Sequence, residues 1–448
     1  MILRILFFIV SLYLYLTSPN VYDFSFCFMC MVIYLLEVGI HIKKEFSQGI
    51  FFSFNLLFFF AFFWTSFAYP VFVHNTDLAY FAPIVDYINW SVLSHTTSLC
   101  LLFTSTYFLG YGSPYLKLKN KINEFRTSNG KALRWFLVVF CMLIAMAFMY
   151  LIRAGFSYSN FSFDVAFWDF YYVLLAFCLI EKSKLKSANV SIKEFISLNK
   201  YPLFTVVFIV VLFLMFGDRG PALRCILICS SIYYFFYKKI ELVKIAIIGF
   251  VGVALMFFIR QTRGTDSLYS AASNSAVVAS VFDLQGGLIE MFADFYGIAM
   301  ELNIAYDYAQ HHDLYHPERV LALPLTTVPF LPSIVLPIFG KSMDDFSTGA
   351  ELNRQMAAFN SHFGNHVVGD LYMSTGLLGV IFFAFLFGFI SKRLAVRKTT
   401  SQYCAIAYVL LFSVALYLPR DTVFALVRPL CLSFILPYII LPKYRKQN

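Results

Sequence analysis

The stretch LYMSTGLLGVIFFAFLFGFI, residues 371–390, contains no charged side chain. About 20 mostly apolar residues are what an α-helix needs to cross the hydrocarbon core of a bilayer. The next residues, SKRLAVRK at 391–398, are rich in cations. Such cations hold the end of a spanning helix at the membrane surface. The segment therefore predicts a membrane-spanning helix that ends on a basic connection.

The same pattern recurs along the whole chain. Of its 448 residues, 60% are apolar and 13% are charged, and the mean hydropathy is +0.74. A soluble domain carries about 25% charged residues. We therefore predict an all-α polytopic membrane protein with twelve spans: Ile2–Thr17, Phe24–Ile40, Ile50–Val71, Trp90–Leu109, Trp135–Ile152, Val165–Ile180, Tyr201–Phe216, Pro221–Tyr237, Leu242–Ile259, Leu371–Ile390, Tyr403–Leu418 and Val423–Leu441.

Lysine gives the predicted orientation. With both termini in the cytoplasm, every lysine except Lys341 falls in a cytoplasmic segment, as the positive-inside rule requires. The net charge of +9 is thus spread over loops and does not form a nucleic-acid-binding surface. The predicted organisation is helices one to nine over 1–259, a large periplasmic loop over 260–370, and helices ten to twelve over 371–448.

The arginines are not distributed over the predicted segments as the lysines are. Several arginines lie in predicted outer loops or in the outer parts of helices: Arg153, Arg219, Arg224, Arg260, Arg263, Arg319, Arg354, Arg420 and Arg428. Topology alone would exclude both cations equally from the outer side. A guanidinium presents a planar fork of donors that fits phosphate oxygens in pairs.

The outer arginines therefore predict a pyrophosphate site. Its candidate ligands are Arg219, Arg224, Arg260, Arg263, Arg420 and Arg428. Arg428 lies inside a predicted helix, where an ionisable group needs a partner or a wet cavity. The alternative for individual arginines is a structural ion pair with a neighbouring acid, such as Arg219 with Asp218 or Arg420 with Asp421.

The end of the large loop contains the candidate catalytic residues. His362, His366 and Asp370 are spaced by four, so they share one face if the segment is helical. A histidine or carboxylate there could take a proton from a sugar hydroxyl. Gly364 and Asn365 interrupt the pattern, so a loop is an equal alternative. Arg354 and Glu290 are candidate sugar contacts.

No metal site or cofactor is predicted. The nine cysteines all lie in apolar runs, where neither a disulfide framework nor a zinc site is expected. The segment HHDLYH, residues 311–316, lies in a hydrophilic stretch without cysteine and is interpreted as solvated surface.

Two segments resemble a known family, the bacterial O-antigen polymerases of the Wzy type. One is FGDRGPALRCILI, residues 216–228. The other runs from VPFLPSIVLP, residues 328–337, to SHFGNHVVGDLYMSTGLLGVIFFAFLFG, residues 361–388. The resemblance implies an enzyme of the bacterial inner membrane whose active site faces the periplasm. It would polymerise oligosaccharide repeat units carried on undecaprenyl pyrophosphate, without metal or cofactor. A chain-length regulator protein is an implied partner.

Two other functions fit the same sequence features. An O-antigen ligase would share the membrane plan and the lipid donor and would differ in its acceptor. A lipid-linked oligosaccharide flippase or another transporter belongs to a different class. It would favour two comparable halves and charges deep in many helices, whereas this chain has one dominant loop and charges on its outer side.

Overall fold

A computed structural model describes residues 1–73, 89–114, 165–183, 190–215, 220–238, 293–312, 331–346 and 365–440, with a few isolated positions such as Thr348. All regular secondary structure in these ranges is helical. The helices are α1 Ile2–Leu16, α2 Phe24–Ser47, α3 Phe54–Ser66, α4 Leu93–Gly112, α5 Val165–Ser183, α6 Ile192–Leu198, α7 Lys200–Met215, α8 Gly220–Ile232, α9 Ala293–His311, α10 Leu331–Ile338, α11 Val367–Arg397, α12 Gln402–Ser413 and α13 Val427–Ile440.

Short helical turns accompany these helices. Two π-turns, Tyr69–Val73 and Tyr233–Tyr237, and four 3₁₀-turns, Trp90–Val92, Met343–Phe346, Leu418–Arg420 and Val423–Leu426, complete the described elements. Several helices start where the sequence offers a capping side chain. Asp23 caps α2, Ser53 caps α3 and Ser401 caps α12, each accepting a hydrogen bond from a first-turn N–H. Such caps satisfy donors that a helix start leaves unpaired.

The chain divides into two compact units. The first comprises Met1–Asn120, Phe292–Val396 and Ala415–Val427, and the second comprises Lys121–Met291, Arg397–Val414 and Arg428–Asn448. Each unit thus combines segments that lie far apart in the sequence.

Buried polar contacts join the N-terminal helices of the first unit. The hydroxyl of Ser105 on α4 lies 2.7 Å from that of Ser11 on α1 and donates to Glu37 on α2 at 2.6 Å. Glu45 of α2 accepts from Ser53 at 2.5 Å and from Asn55 at 2.7 Å. Hydrogen bonds between helices are typical of membrane bundles, where apolar packing alone does not favour association.

Helices α4 and α11 of the first unit approach each other closely. A Cβ added to Gly110 would lie 2.0 Å from the carbonyl oxygen of Phe385, and one added to Gly388 would lie 2.0 Å from that of Tyr107. Small residues at such a crossing let two backbones touch. Glycine is therefore required at both points of the crossing.

Helix α9 comes from the predicted periplasmic loop and packs against α3 and α4 within the first unit. Its residues Met300, Leu302 and Ile304 are buried. Asn303 of α9 also accepts a hydrogen bond from the Thr96 hydroxyl of α4. The stretch Leu284–Ala309 of the sequence is helix-like, and the described part of the chain contains the helix Ala293–His311. Its burial among the other helices was not predicted.

Helix α11 is broken at Gly376, which has φ 65° and ψ −168°. This backbone conformation is essentially restricted to glycine. Non-helical backbone at membrane depth is tolerated where it is buried in protein, and Gly376 is buried. A short N-terminal segment that includes Asp370 is thereby set off from the long apolar remainder of α11.

The second unit contains α5 to α8, α12 and α13. Its core consists of apolar side chains from these helices, including Val173 and Phe177 of α5, Ile228 of α8 and Val409 of α12. The π-turn Tyr233–Tyr237 extends α8, and its Tyr237 hydroxyl donates to the carbonyl of Leu179 at 3.1 Å. Aromatic and aliphatic packing thus determines the arrangement inside this unit.

Among the described residues, three helices are long and apolar enough to cross a membrane: Phe24–Ser47, Trp90–Gly112 and Val367–Arg397. The bent pair Ile192–Leu198 and Lys200–Phe213, which meets at 95°, could form a fourth span. The prediction of a helical membrane protein is confirmed in this coarse form. The twelve spans, the cytoplasmic termini and the position of the large loop stay predictions.

Candidate functional site

Asp370 lies in the first unit, in the first turn of α11. Its two carboxylate oxygens accept hydrogen bonds from two threonine hydroxyls, those of Thr348 and Thr422. Thr348 comes from the predicted large loop and Thr422 from the connection between α12 and α13. The residue Asp370 is only 3% exposed. Three distant parts of the sequence therefore converge on one buried acid.

His366 lies one residue before α11 and is 2% exposed. Its Nδ1 accepts a hydrogen bond from the Val368 N–H at 3.2 Å, and its Nε2 lies 3.1 Å from the Ser66 hydroxyl. Because Nδ1 is an acceptor, the proton of the neutral ring is on Nε2, which donates to Ser66. Burial lowers the pKa of His366, so the ring is neutral at physiological pH.

These contacts make His366 the N-cap of α11. Its carbonyl oxygen also accepts the Asp370 N–H at 2.8 Å, as expected for the residue that begins a helix. His366 and Asp370, which are four residues apart, are therefore joined by a backbone hydrogen bond. Their side chains have different partners, Ser66 and Val368 for His366 and the two threonines for Asp370.

Arg420 ends the 3₁₀-turn Leu418–Arg420, which packs against α3 in the first unit. Thr422, two residues later, is the hydroxyl donor to Asp370. The first unit thus brings the predicted residues His366, Asp370 and Arg420 into one region, around the start of α11.

The second unit contains a cluster of one acid and two arginines. Arg224 of α8 places Nη2 3.0 Å from Oδ1 of Asp169, and Arg428 of α13 places Nη1 3.8 Å from Oδ2 of the same carboxylate. The Asp169 side chain is 4% exposed and each arginine side chain is 16% exposed. The three groups carry a net charge of +1 when all are ionised.

The surroundings of this arginine–aspartate cluster also favour an anion. Asp169, Arg224 and Arg428 all lie in the first two turns of their helices, α5, α8 and α13. A helix N-terminus carries a partial positive charge of about half a unit. The guanidinium carbon of Arg224 lies 4.2 Å from the ring centroid of Tyr172, so Arg224 is held by both a carboxylate and an aromatic face.

The other predicted site residues are Arg219, Arg260, Arg263, Arg354, His362 and Glu290, and they lie outside the described residues. In the described part of the chain, no three histidine, cysteine or acidic side chains are grouped as a metal would require. His311 and His312, which begin the HHDLYH segment, are exposed.

Sequence reasoning missed several members of these two sites. Asp169 lies inside the predicted span Val165–Ile180, and its pairing with Arg224 and Arg428 was not predicted. A buried acid in an apolar helix implies a cationic partner, and this signal could have connected the three residues. Thr348, Thr422, Ser66 and Tyr172 gave no such signal, because polar and aromatic residues of these types are frequent throughout the sequence.

The fold defines a helical membrane protein, with a net positive arginine–aspartate cluster among the helices of the second unit. A family model described as O-antigen polysaccharide polymerase Wzy matches residues 1–446, and the chain therefore belongs to this family. Neither the curated proteins nor the solved structures gave a significant match. The resemblance seen in the sequence is thus confirmed. At family level the protein is a membrane polymerase of oligosaccharide repeat units that acts in polysaccharide biosynthesis.

Proposed function

We propose that this protein transfers a growing glycan from undecaprenyl pyrophosphate to the sugar of a lipid-linked acceptor repeat unit. The reaction takes place at the periplasmic side of the bacterial inner membrane and uses no metal or cofactor. The observation that carries this proposal is the arginine–aspartate cluster of Asp169, Arg224 and Arg428, which has a buried carboxylate, a net positive charge and a position in the first two turns of three helices.

The charge of the cluster suits a diphosphate. The lipid diphosphate is the leaving group, and it gains negative charge as the bond to the anomeric carbon breaks. Guanidinium groups that are already oriented stabilise such developing charge most effectively in a site shielded from water. Arg224 and Arg428 are the proposed ligands, and Arg219, Arg260, Arg263 and Arg420 are proposed as further diphosphate contacts.

Asp370 is the proposed general base. The acceptor hydroxyl would give its proton to the Asp370 carboxylate while its oxygen bonds to the anomeric carbon, and the diphosphate would leave with the electron pair of the broken bond. Thr348 and Thr422 orient the carboxylate through their hydroxyls. His366 supports Asp370 by capping α11, and His362, Arg354 and Glu290 are proposed sugar contacts.

A chain-extension assay tests the diphosphate role. Purified protein in liposomes is given a synthetic undecaprenyl-pyrophosphate-linked repeat unit, and the product lengths are resolved by gel. We expect Arg224→Lys and Arg428→Lys to reduce extension about tenfold or more, because lysine cannot form the bidentate contacts of arginine. The control is Arg397→Lys at the predicted cytoplasmic end of α11. Extension at the wild-type rate by both variants would contradict the proposed role.

The family favours a polymerase over the ligase and the flippase. In cells, loss of a polymerase leaves a single repeat unit on the lipopolysaccharide, whereas loss of a ligase leaves none. A deletion strain therefore tests the acceptor. A chain-length regulator is proposed as a partner, and co-purification with the polymerase would test this.

A further inference from the structure

We infer that Asp169 and Tyr172 are positioning residues that hold Arg224 and Arg428 in the orientation needed to receive the lipid diphosphate. This inference rests on the proposed function, because it concerns the same diphosphate site. It adds two residues of α5 that neither the arginine pattern nor the family match assigns.

The geometry around Arg224 is the first support. Asp169 and Tyr172 are three residues apart on α5, so they lie on the same face of the helix. The Asp169 carboxylate contacts the Nη2 nitrogen of Arg224 at 3.0 Å, and the Tyr172 ring covers its guanidinium carbon at 4.2 Å. An ion pair fixes where the guanidinium lies, and a ring face fixes the plane in which it lies. One face of α5 therefore determines both the position and the plane of the Arg224 guanidinium.

The geometry around Arg428 is the second support. Two guanidinium groups repel each other, and this repulsion is strong where little water reaches them. The Asp169 carboxylate uses a different oxygen for each arginine, Oδ1 for Arg224 and Oδ2 for Arg428. A single acid thus keeps the two cations close together and still leaves the cluster with a net positive charge. Without the carboxylate, we expect the arginines to move apart.

A purely structural ion cluster would have the same contacts but different consequences. If Asp169 and Tyr172 only join the helices of the second unit, their loss lowers thermal stability and leaves the affinity for diphosphate unchanged in the protein that remains folded. If they position the arginines, their loss weakens diphosphate binding at equal amounts of folded protein. The two roles are thus separable by a binding measurement.

The test uses matched pairs of variants in the full-length protein in liposomes. The readouts are the KM for the lipid-linked donor, the inhibition constant of inorganic pyrophosphate and the thermal midpoint. We expect Asp169→Asn to raise the KM and the inhibition constant about tenfold and Asp169→Glu to recover part of this loss. We expect Tyr172→Leu to raise both several-fold and Tyr172→Phe to stay within about twofold, because phenylalanine keeps the ring face.

The neighbouring Tyr171→Phe is the control, because Tyr171 is also buried in α5 and its hydroxyl lies 3.1 Å from that of Thr205. Unchanged KM and inhibition constants in Asp169→Asn and Tyr172→Leu, while Arg224→Lys still loses extension, would overturn the inference and leave the proposed function intact. If Asp169→Asn fails to fold, the KM and inhibition constants of the two Tyr172 variants decide between the positioning role and the purely structural role. Wild-type protein that does not extend the donor would instead refute the proposed function.

Discussion

At the scale of single residues, His366 and Asp370 are four residues apart but their side chains have different partners. The four-residue interval suggested two side chains on one helical face. The helix begins at Val367, so His366 is the cap and its ring contacts backbone and serine. The ring of His366 is held at the start of this helix by a tertiary contact with Ser66. Spacing alone could not predict this starting point.

With His366 as the helix cap and Asp370 as the general base, we expect opposite results when each is changed to asparagine. We expect His366→Asn to keep chain extension near the wild-type level, because asparagine is a favoured N-cap. We expect Asp370→Asn to lose extension by about a hundredfold or more, a typical contribution of a general base. The liposome assay with equal amounts of folded protein measures both. An inactive but stably folded His366→Asn protein would return the role of base to the histidine.

At the scale of helices, hydropathy predicted the positions of several described helices. The predicted span Val165–Ile180 corresponds to α5, Val165–Ser183, and Tyr201–Phe216 corresponds to α7, Lys200–Met215. Apolar length is a local property, so a single sequence reveals it. The break at Gly376 was not predicted. A glycine in an apolar run can allow a close contact, as at Gly388, or a change of direction, and only packing decides between the two.

The close crossing of α4 and α11 gives a prediction at this scale. We expect Gly388→Ala to reduce the free energy of unfolding by about 1–3 kcal/mol, a typical cost of overpacking, because the new methyl group would meet the Tyr107 carbonyl. The control is Gly39→Ala in α2, where nothing lies within 4 Å of the added Cβ. That variant should be neutral, or stabilising by up to about 1 kcal/mol through helix propensity. Unfolding in mixed detergent micelles measures both values.

At the scale of the whole molecule, composition was enough to predict a helical membrane protein. The distribution of arginine along the chain, which departs from that of lysine, predicted Arg224 and Arg428 as candidate site residues, and the structure places both beside Asp169. The counter-charge at Asp169 could not be predicted in the same way. It lies far from both arginines in sequence, and only the assembly of α5, α8 and α13 brings the three together. The packing of α9 among the helices of the first unit could not be predicted from the sequence either, because an amphipathic loop helix can also lie in solvent.

The predicted orientation leads to a labelling experiment. In a cysteine-free background, we introduce Gln310→Cys at the end of α9 and Thr399→Cys after α11, both at exposed positions. A membrane-impermeant maleimide applied to intact spheroplasts should label the first and not the second, because the large loop is predicted to be periplasmic and the basic connection cytoplasmic. Permeabilised spheroplasts, in which both should react, provide the control. Labelling of the second cysteine and not the first would contradict the predicted orientation.

The arginine–aspartate cluster also has a consequence for how the chain is made. Helix α5 is synthesised first, and on its own it would place a bare carboxylate in lipid at a cost of about 2.5–3.5 kcal/mol. Its two cationic partners arrive later, with α8 and then with α13. We therefore expect nascent α5 to stay beside the insertion machinery until α8 emerges. Ribosome-bound intermediates that end before Arg224 should crosslink α5 to the translocon, and longer intermediates should release it.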